Sequence, residues 1–236
     1  MPTIHAVVPH PTRSRFAERH PKLYLVLHLL GGLGATALLL WLFIAIAEDI
    51  PEHGALIHVD MFVSRWLESH GTEAGERIFF WLSYLGAPVL VAVVVATIGF
   101  FLWKRERREA IVVAVTCGGG VVVGNILKLV FHRGRPETAS EFITRHTWSF
   151  PSGHSMNSII GYGFLTILLL DRIVHHGRRI ALIVAAVLLI GGIGFSRLYL
   201  GVHYLSDVAG GFIAGGAWLI VCATGYRFAQ RRVPQR

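Results

Sequence analysis

Charge is scarce in this chain. Only 15% of its 236 residues are Asp, Glu, Lys or Arg, against about 25% in an average soluble domain. Cysteine is scarcer still. Cys117 and Cys222 both lie inside apolar runs, so they supply no disulfide framework, zinc ligand set or redox signal. Period-length repeats and low-complexity segments are missing as well. Together these shortages exclude a disulfide scaffold, a collagen-like chain and an intrinsically disordered one. Apolar residues are what the chain has in excess. They make up 53% of it and come in long runs, the pattern of a membrane protein rather than of a soluble core. The net charge of +8 and isoelectric point near 10.1 do not point to nucleic acid. The basic residues sit beside apolar runs, where they orient a protein in a bilayer.

A helix crossing the hydrocarbon core needs about 20 apolar residues. Six runs qualify, near 23–47, 78–103, 111–131, 155–170, 180–197 and 208–226. The first ends on Ala45-Ile46-Ala47, which resembles a signal-peptidase site. The run is far longer than the about 7–15 residues of a signal core, so it is expected to stay as an anchor. Basic clusters precede the first run (Arg13, Arg15, Arg19, Lys22), separate the second from the third (Lys104, Arg105, Arg107, Arg108) and the fourth from the fifth (Arg172, Arg178, Arg179), and follow the sixth (Arg227, Arg231, Arg232, Arg236). Six crossings put all four on one side, and positive residues stay in the cytoplasm. The sequence therefore predicts an all-α, polytopic bundle of six transmembrane helices in a bacterial-type inner membrane. Both termini are expected in the cytoplasm, with the loops 48–77, 132–154 and 198–207 on the periplasmic or extracellular side. The division follows: a basic cytoplasmic tail at 1–21, a membrane domain at 22–227 and a second basic tail at 228–236. Between the first two spans, Val59, Phe62, Val63, Trp66 and Leu67 recur at helical spacing opposite Asp60, Ser64, Arg65 and Glu68. That is the pattern of a short amphipathic helix at the membrane surface. Gly118 to Gly120 with Gly124, and Gly210-Gly211 with Gly215-Gly216, suit close helix packing in lipid.

Ionisable residues near membrane depth are costly and mark function. Three clusters stand out: Lys128 with Arg135-Pro136; Pro151-Ser152-Gly153-His154; and Ser196-Arg197 with His203 and Asp207. At about 1.5 Å per residue, Ala110 to Lys128, His154 to Asp171 and Ile180 to Arg197 each extend about 26–27 Å, close to one bilayer core. Starting from cytoplasmic ends, all three clusters arrive at the outer interface. Lys128, Arg135 and Arg197 are cations suited to an oxyanion. Ser152 and Gly153 open a helix whose N-terminal amides favour an anion. The expected occupant is a multiply charged tetrahedral anion, most simply phosphate. His203 and Asp207, four apart, share one face if that segment is helical. The carboxylate would fix the imidazole tautomer, making His203 a candidate nucleophile. His154, without such a carboxylate, is a candidate general acid. No metal and no cofactor is called for. His53 and His58 near Asp60, and the His175-His176 pair, read as solvated loop residues, and His132, Arg133, Arg145 and His146 are left outside the site.

At these residues the chain resembles the type 2 phosphatidic acid phosphatase family, which shares its site with vanadium haloperoxidases and glucose-6-phosphatase. The family pattern K-x6-R-P, P-S-G-H, S-R-x5-H-x3-D is filled by Lys128, Arg135, Pro136, Pro151 to His154, Ser196, Arg197, His203 and Asp207 without a departure. The resemblance implies catalysis without metal. His203 would form a phosphohistidine, Asp207 would orient it and His154 would protonate the leaving group. Lys128, Arg135, Ser152, Gly153 and Arg197 would hold the phosphoryl oxygens. The function expected is an integral-membrane lipid phosphate or diphosphate phosphatase whose substrate enters from the bilayer, among membrane lipids and no nucleic acid. Candidate substrates are undecaprenyl diphosphate, phosphatidylglycerophosphate, phosphatidic acid and lipid A phosphates. The alternatives are a lipid phosphotransferase using the same intermediate, a lipid-phosphate transporter and a vanadate-dependent peroxidase. Neither the substrate nor the oligomeric state is written in the sequence.

Overall fold

The computed structural model describes residues 19, 21–50, 54–136 and 148–231. Among them the secondary structure is helical throughout: α1 (Pro21–Asp49), α2 (Ala55–His70), α3 (Glu73–Tyr84), α4 (Pro88–Trp103), α5 (Arg107–Phe131), α6 (Gly153–Leu170), α7 (His176–Tyr199) and α8 (Leu205–Arg231). Among the described residues six stretches are long and apolar enough to span a membrane: Leu23–Asp49, Glu73–Trp103, Arg107–Phe131, Gly153–Leu170, His176–Tyr199 and Leu205–Ala229. Their outer faces carry exposed Leu33, Trp41, Val95, Trp103, Leu129 and Leu188. That surface suits lipid and no aqueous solvent.

Helix α6 is the most buried span and forms the centre of the bundle with α8. Glycines make the pairing close. A Cβ on Gly211 would lie 2.6 Å from the Ser152 carbonyl oxygen, and one on Gly215 would lie 2.8 Å from that of Met156. Only hydrogen fits at such backbone-to-backbone approaches. Fully buried Phe150, Met156, Ile160 and Phe164 fill the space around α6. Phe43 of α1 stacks on Phe150 at 5.3 Å, and Phe131 at the end of α5 meets it edge-on at 5.2 Å. The loop entering α6 is thereby wedged between two spans.

Three expectations need correction. The second span is not one helix. It breaks at Leu85 to Ala87, because Pro88 lacks the amide that would continue the ladder. The loosened backbone is bonded again within the bundle: the Tyr162 hydroxyl donates to the Leu85 carbonyl at 2.6 Å. Second, Asp60 does not lie on a solvated face of α2. It shares a helical stripe with Val63 and Leu67, which pack against Leu198 and Val208, and it is 2% exposed. Val59, Phe62 and Trp66 remain exposed on the other side of α2. Third, the helices run past the predicted ends. α7 begins at His176, and α8 continues to Arg231, so residues 228–231 of the expected tail are helical. Residues 1–18, 20 and 232–236 of the two tails lie outside the described residues.

Candidate active site

The ends of α5 and α7 and the starts of α6 and α8 meet at one end of the bundle. The basic loops at Lys104–Arg108 and Arg172–Arg179 lie at the far ends of α5, α6 and α7. Lys128, in the last turn of α5, reaches across to α6. Its Nζ donates to the Trp148 carbonyl at 3.1 Å and lies 3.8 Å from where a Gly153 Cβ would stand. His132 then closes α5 in the left-handed region, with φ of 45°. Its amide donates to the Lys128 carbonyl at 3.2 Å. Arg135 Nη1 donates to the Val202 carbonyl at 2.9 Å, which ties this turn to the loop between α7 and α8. Ser152 is the N-cap of α6 and accepts from the Ser155 amide and hydroxyl. Its own hydroxyl proton is left able to donate to a ligand. Arg197, 4% exposed, donates from Nη1 to Ser83 on α3, while its Nε has no protein partner.

His203 follows a left-handed turn at Gly201, φ 62°, and is almost fully buried. Its Nδ1 faces Asp207 Oδ2 at 3.3 Å. A carboxylate only accepts, so the proton sits on Nδ1 and the Nε2 lone pair is free to react. Burial holds the imidazole pKa down to about 4, against the pull of Asp207 and with the push of Arg197 and Arg135. The ring is neutral at physiological pH. Asp207 is fully buried and heavily bonded. Its Oδ2 accepts from the Ser149 hydroxyl and, at 2.9 Å, from the Tyr204 amide; its Oδ1 accepts from Arg133 Nη1 at 2.6 Å. Its backbone carbonyl accepts from the Ser152 amide at 2.9 Å, joining the histidine pair to the α6 N-terminus. His154, in the first turn of α6, packs against the break in the second span, its Cδ2 3.2 Å from where a Gly86 Cβ would lie. The charges of Arg197, Lys128 and Arg135 and the ring of His203 all act on it.

All eight residues expected at the site thus meet at one end of the bundle: two imidazoles, one carboxylate, three cations and a helix N-terminus. This is a geometry for holding a tetrahedral oxyanion and attacking it. The sequence model of the PAP2 superfamily matches residues 108–231. The chain belongs to the PAP2 superfamily. It is similar to two curated proteins named as phosphatases. With phosphatidylglycerophosphatase B of Bacillus subtilis it is 31% identical over 138 residues, 57% of this chain and 66% of that protein. With undecaprenyl-diphosphatase of Sulfolobus acidocaldarius it is 29% identical over 126 residues, 50% of this chain and 55% of that protein. The matches therefore span less than two thirds of either relative. Among solved structures, the transmembrane PAP2-type phosphatidylglycerolphosphate phosphatase from Bacillus subtilis shares the fold at a TM-score of 0.74 and 24% identity, over 85% of this chain and 98% of that one. Aquifex aeolicus LpxE does so at 0.53 and 23% identity, over 70% and 94%.

Four residues of this candidate site carry no signal in the sequence motifs. Ser149 and Ser83 are single serines in unremarkable contexts. Arg133 reads from the sequence as a residue outside the site, yet it bonds Asp207. Burial disfavours its charge, but Asp207 and Asp60 outweigh that and hold its pKa above the usual guanidinium value. Asp60 completes the ion-pair group at 2.8 Å. Serines and acids from helices distant in sequence are legible only once the helices are packed. His58, His175 and His176 are exposed, as expected of solvated residues. His53, Arg145 and His146 lie outside the described residues.

Proposed function

We propose that this protein is a metal-independent membrane phosphatase acting on a lipid phosphate monoester or diphosphate. The observation that carries the reading is Arg197, a buried guanidinium whose Nε edge lacks a protein partner. Buried donors are normally satisfied, and a fork beside Lys128 and Arg135 suits a phosphoryl group. The three cations supply the charge neutralisation that a metal would otherwise bring.

In the proposed reaction His203 Nε2 attacks phosphorus and the bond from phosphorus to the leaving oxygen breaks. His154, made imidazolium by the bound dianion, gives its proton to that oxygen. Asp207 stabilises the positive charge formed on His203. Water then attacks the phosphohistidine, His154 takes the water's proton, and inorganic phosphate and His203 are released. Lys128, Arg135, Ser152, Gly153 and Arg197 hold the non-bridging oxygens throughout. The names of the curated relatives support phosphatidylglycerophosphate and undecaprenyl diphosphate as substrates to try, beside phosphatidic acid and lipid A phosphates. The basic loops support a site on the periplasmic or extracellular side with both termini in the cytoplasm.

The test is phosphate release by purified protein in detergent, with EDTA present, across those four lipid classes. At least one should be hydrolysed, and His203→Ala should reduce its turnover by roughly 10³-fold or more, as expected for loss of a covalent nucleophile. Full activity of His203→Ala would overturn the mechanism.

A further inference from the structure

The reaction above leaves unused a closed set of buried charges next to Asp207. Arg133 is 9% exposed at its side chain and divides its fork between two carboxylates. Nη1 donates to Asp207 Oδ1 at 2.6 Å and Nη2 to Asp60 Oδ2 at 2.8 Å. Ser206 closes the set. Its amide donates to Asp60 Oδ1 at 2.9 Å, its hydroxyl donates to Asp60 Oδ2, and the hydroxyl oxygen in turn accepts from Arg133 Nη1 at 2.7 Å. The guanidinium lies over the Tyr204 ring at 4.4 Å, and the Tyr204 amide bonds Asp207 Oδ2. Nothing in the proposed reaction needs an arginine here. Burying one Arg and two Asp costs several kcal/mol per ion before pairing.

We infer that Arg133 and Asp60 are positioning residues for the His203–Asp207 pair: Asp60, carried by α2, holds the Arg133 fork, and the fork fixes Asp207 Oδ1 so that Oδ2 faces His203 Nδ1. The inference rests on the phosphatase reading. A carboxylate can rotate about its last bond. Locking Oδ1 from one side, with Ser149 and the Tyr204 amide on Oδ2, leaves one orientation. The same contact draws negative charge off Asp207 and so affects how readily His203 gains a proton. Charged groups around the pair come from every adjoining element: Asp60 from α2, by way of Arg133, Lys128 from α5, Arg133 and Arg135 from the following turn, His154 from α6 and Arg197 from α7. Lysine at 133 would keep the charge but offers one nitrogen, which cannot serve both acids as the fork does.

The test compares Arg133→Gln, Arg133→Lys and Asp60→Asn with wild type and His203→Ala, in detergent and EDTA, over a pH series. The substrate's own ionisations are common to all variants. Arg133→Gln should lower kcat about 30- to 300-fold while KM stays within about threefold, because the residue does not touch phosphate. Its acid limb should move to higher pH, as Asp207 acts on His203 undiluted. Asp60→Asn should lower kcat about three- to tenfold and move the acid limb to lower pH, because Arg133 is then shared with no second acid. Arg133→Lys should restore the position of the limb but only part of kcat. A role confined to pinning α2 would lower thermal stability and leave both limbs in place, which would overturn the inference. So would a loss residing in KM, or Arg133→Gln keeping kcat within twofold. If Arg133→Gln does not purify as a monodisperse protein, Asp60→Asn and Arg133→Lys decide by the same criteria. Failure of the phosphatase reading is seen separately, as a wild type that releases no phosphate or a His203→Ala that retains turnover.

Discussion

At the scale of single residues, the site depends on a histidine kept neutral by burial. The pKa of His203, about 4, leaves its Nε2 lone pair unprotonated from neutral pH well into the acid range. The same shift has a stability consequence whose sign is fixed. An unfolded histidine takes up a proton near 6.5, whereas the native one does so only near 4. Between those values the unfolded chain binds more protons, so stability falls as pH drops from about 6.5 to about 4 and levels below that. A His203→Asn protein lacks this contribution. The difference in unfolding free energy between wild type and His203→Asn should shift by about 2 kcal/mol against wild type from pH 7 to pH 5, measured by thermal unfolding in detergent. An unchanged difference would mean that His203 is solvated. The motif residues were legible in the sequence because each cluster is local: Ser152 and Gly153 adjoin His154, and His203, in the turn before α8, is four residues from Asp207. Arg133, Asp60 and Ser83 were not. Their partners lie 73, 74 and 114 positions away, and one acid on an amphipathic helix has the pattern of a solvated face.

At the scale of elements, the site is held by how closely α6 and α8 approach. Gly211 faces the Ser152 carbonyl at the N-cap of α6, 2.6 Å from where a Cβ would stand. Adding that carbon must push the first turn of α6 away from Asp207. Gly211→Ala should therefore lower the unfolding temperature in detergent, at a cost of about 1–3 kcal/mol, and lower kcat/KM as well. Around Gly99 on α4 the space is open, with nothing within 4 Å of where a Cβ would stand, so Gly99→Ala should be neutral or slightly stabilising and leave activity alone. Equal effects from the two substitutions would place the glycine effect in helix propensity rather than packing. Small residues four apart signalled this face in the sequence. The break in the second span did not stand out, because the run from 78 to 103 stays apolar through Pro88 and hydropathy cannot see a missing amide. That break matters to the site: it brings Gly86 against His154 and Ser83 against Arg197.

At the scale of the whole molecule, hydropathy was enough for the number and order of spans, since lipid demands a continuous apolar stretch for each crossing. Helix ends were underestimated because the terminal turns carry polar residues that such runs exclude, as at the start of α7 at His176 and the end of α8 at Arg231. The basic loops predict which way the bundle faces. In a variant with Cys117 and Cys222 replaced, a cysteine at Ser69 should be labelled in intact cells by a membrane-impermeant maleimide. One at Gly177 should be labelled only after lysis; the reverse pattern would place the site in the cytoplasm. The central claim is that His203 and His154 act in turn on one phosphoryl group held by Lys128, Arg135 and Arg197. Rapid quenching into base during turnover of a radiolabelled lipid phosphate tests it most directly, since phosphohistidine survives base and is lost in acid. A base-stable, acid-labile phosphoryl group should map to the peptide bearing His203 and be absent from His203→Gln. Turnover by His203→Gln at the wild-type rate, or label on any other residue, would contradict it.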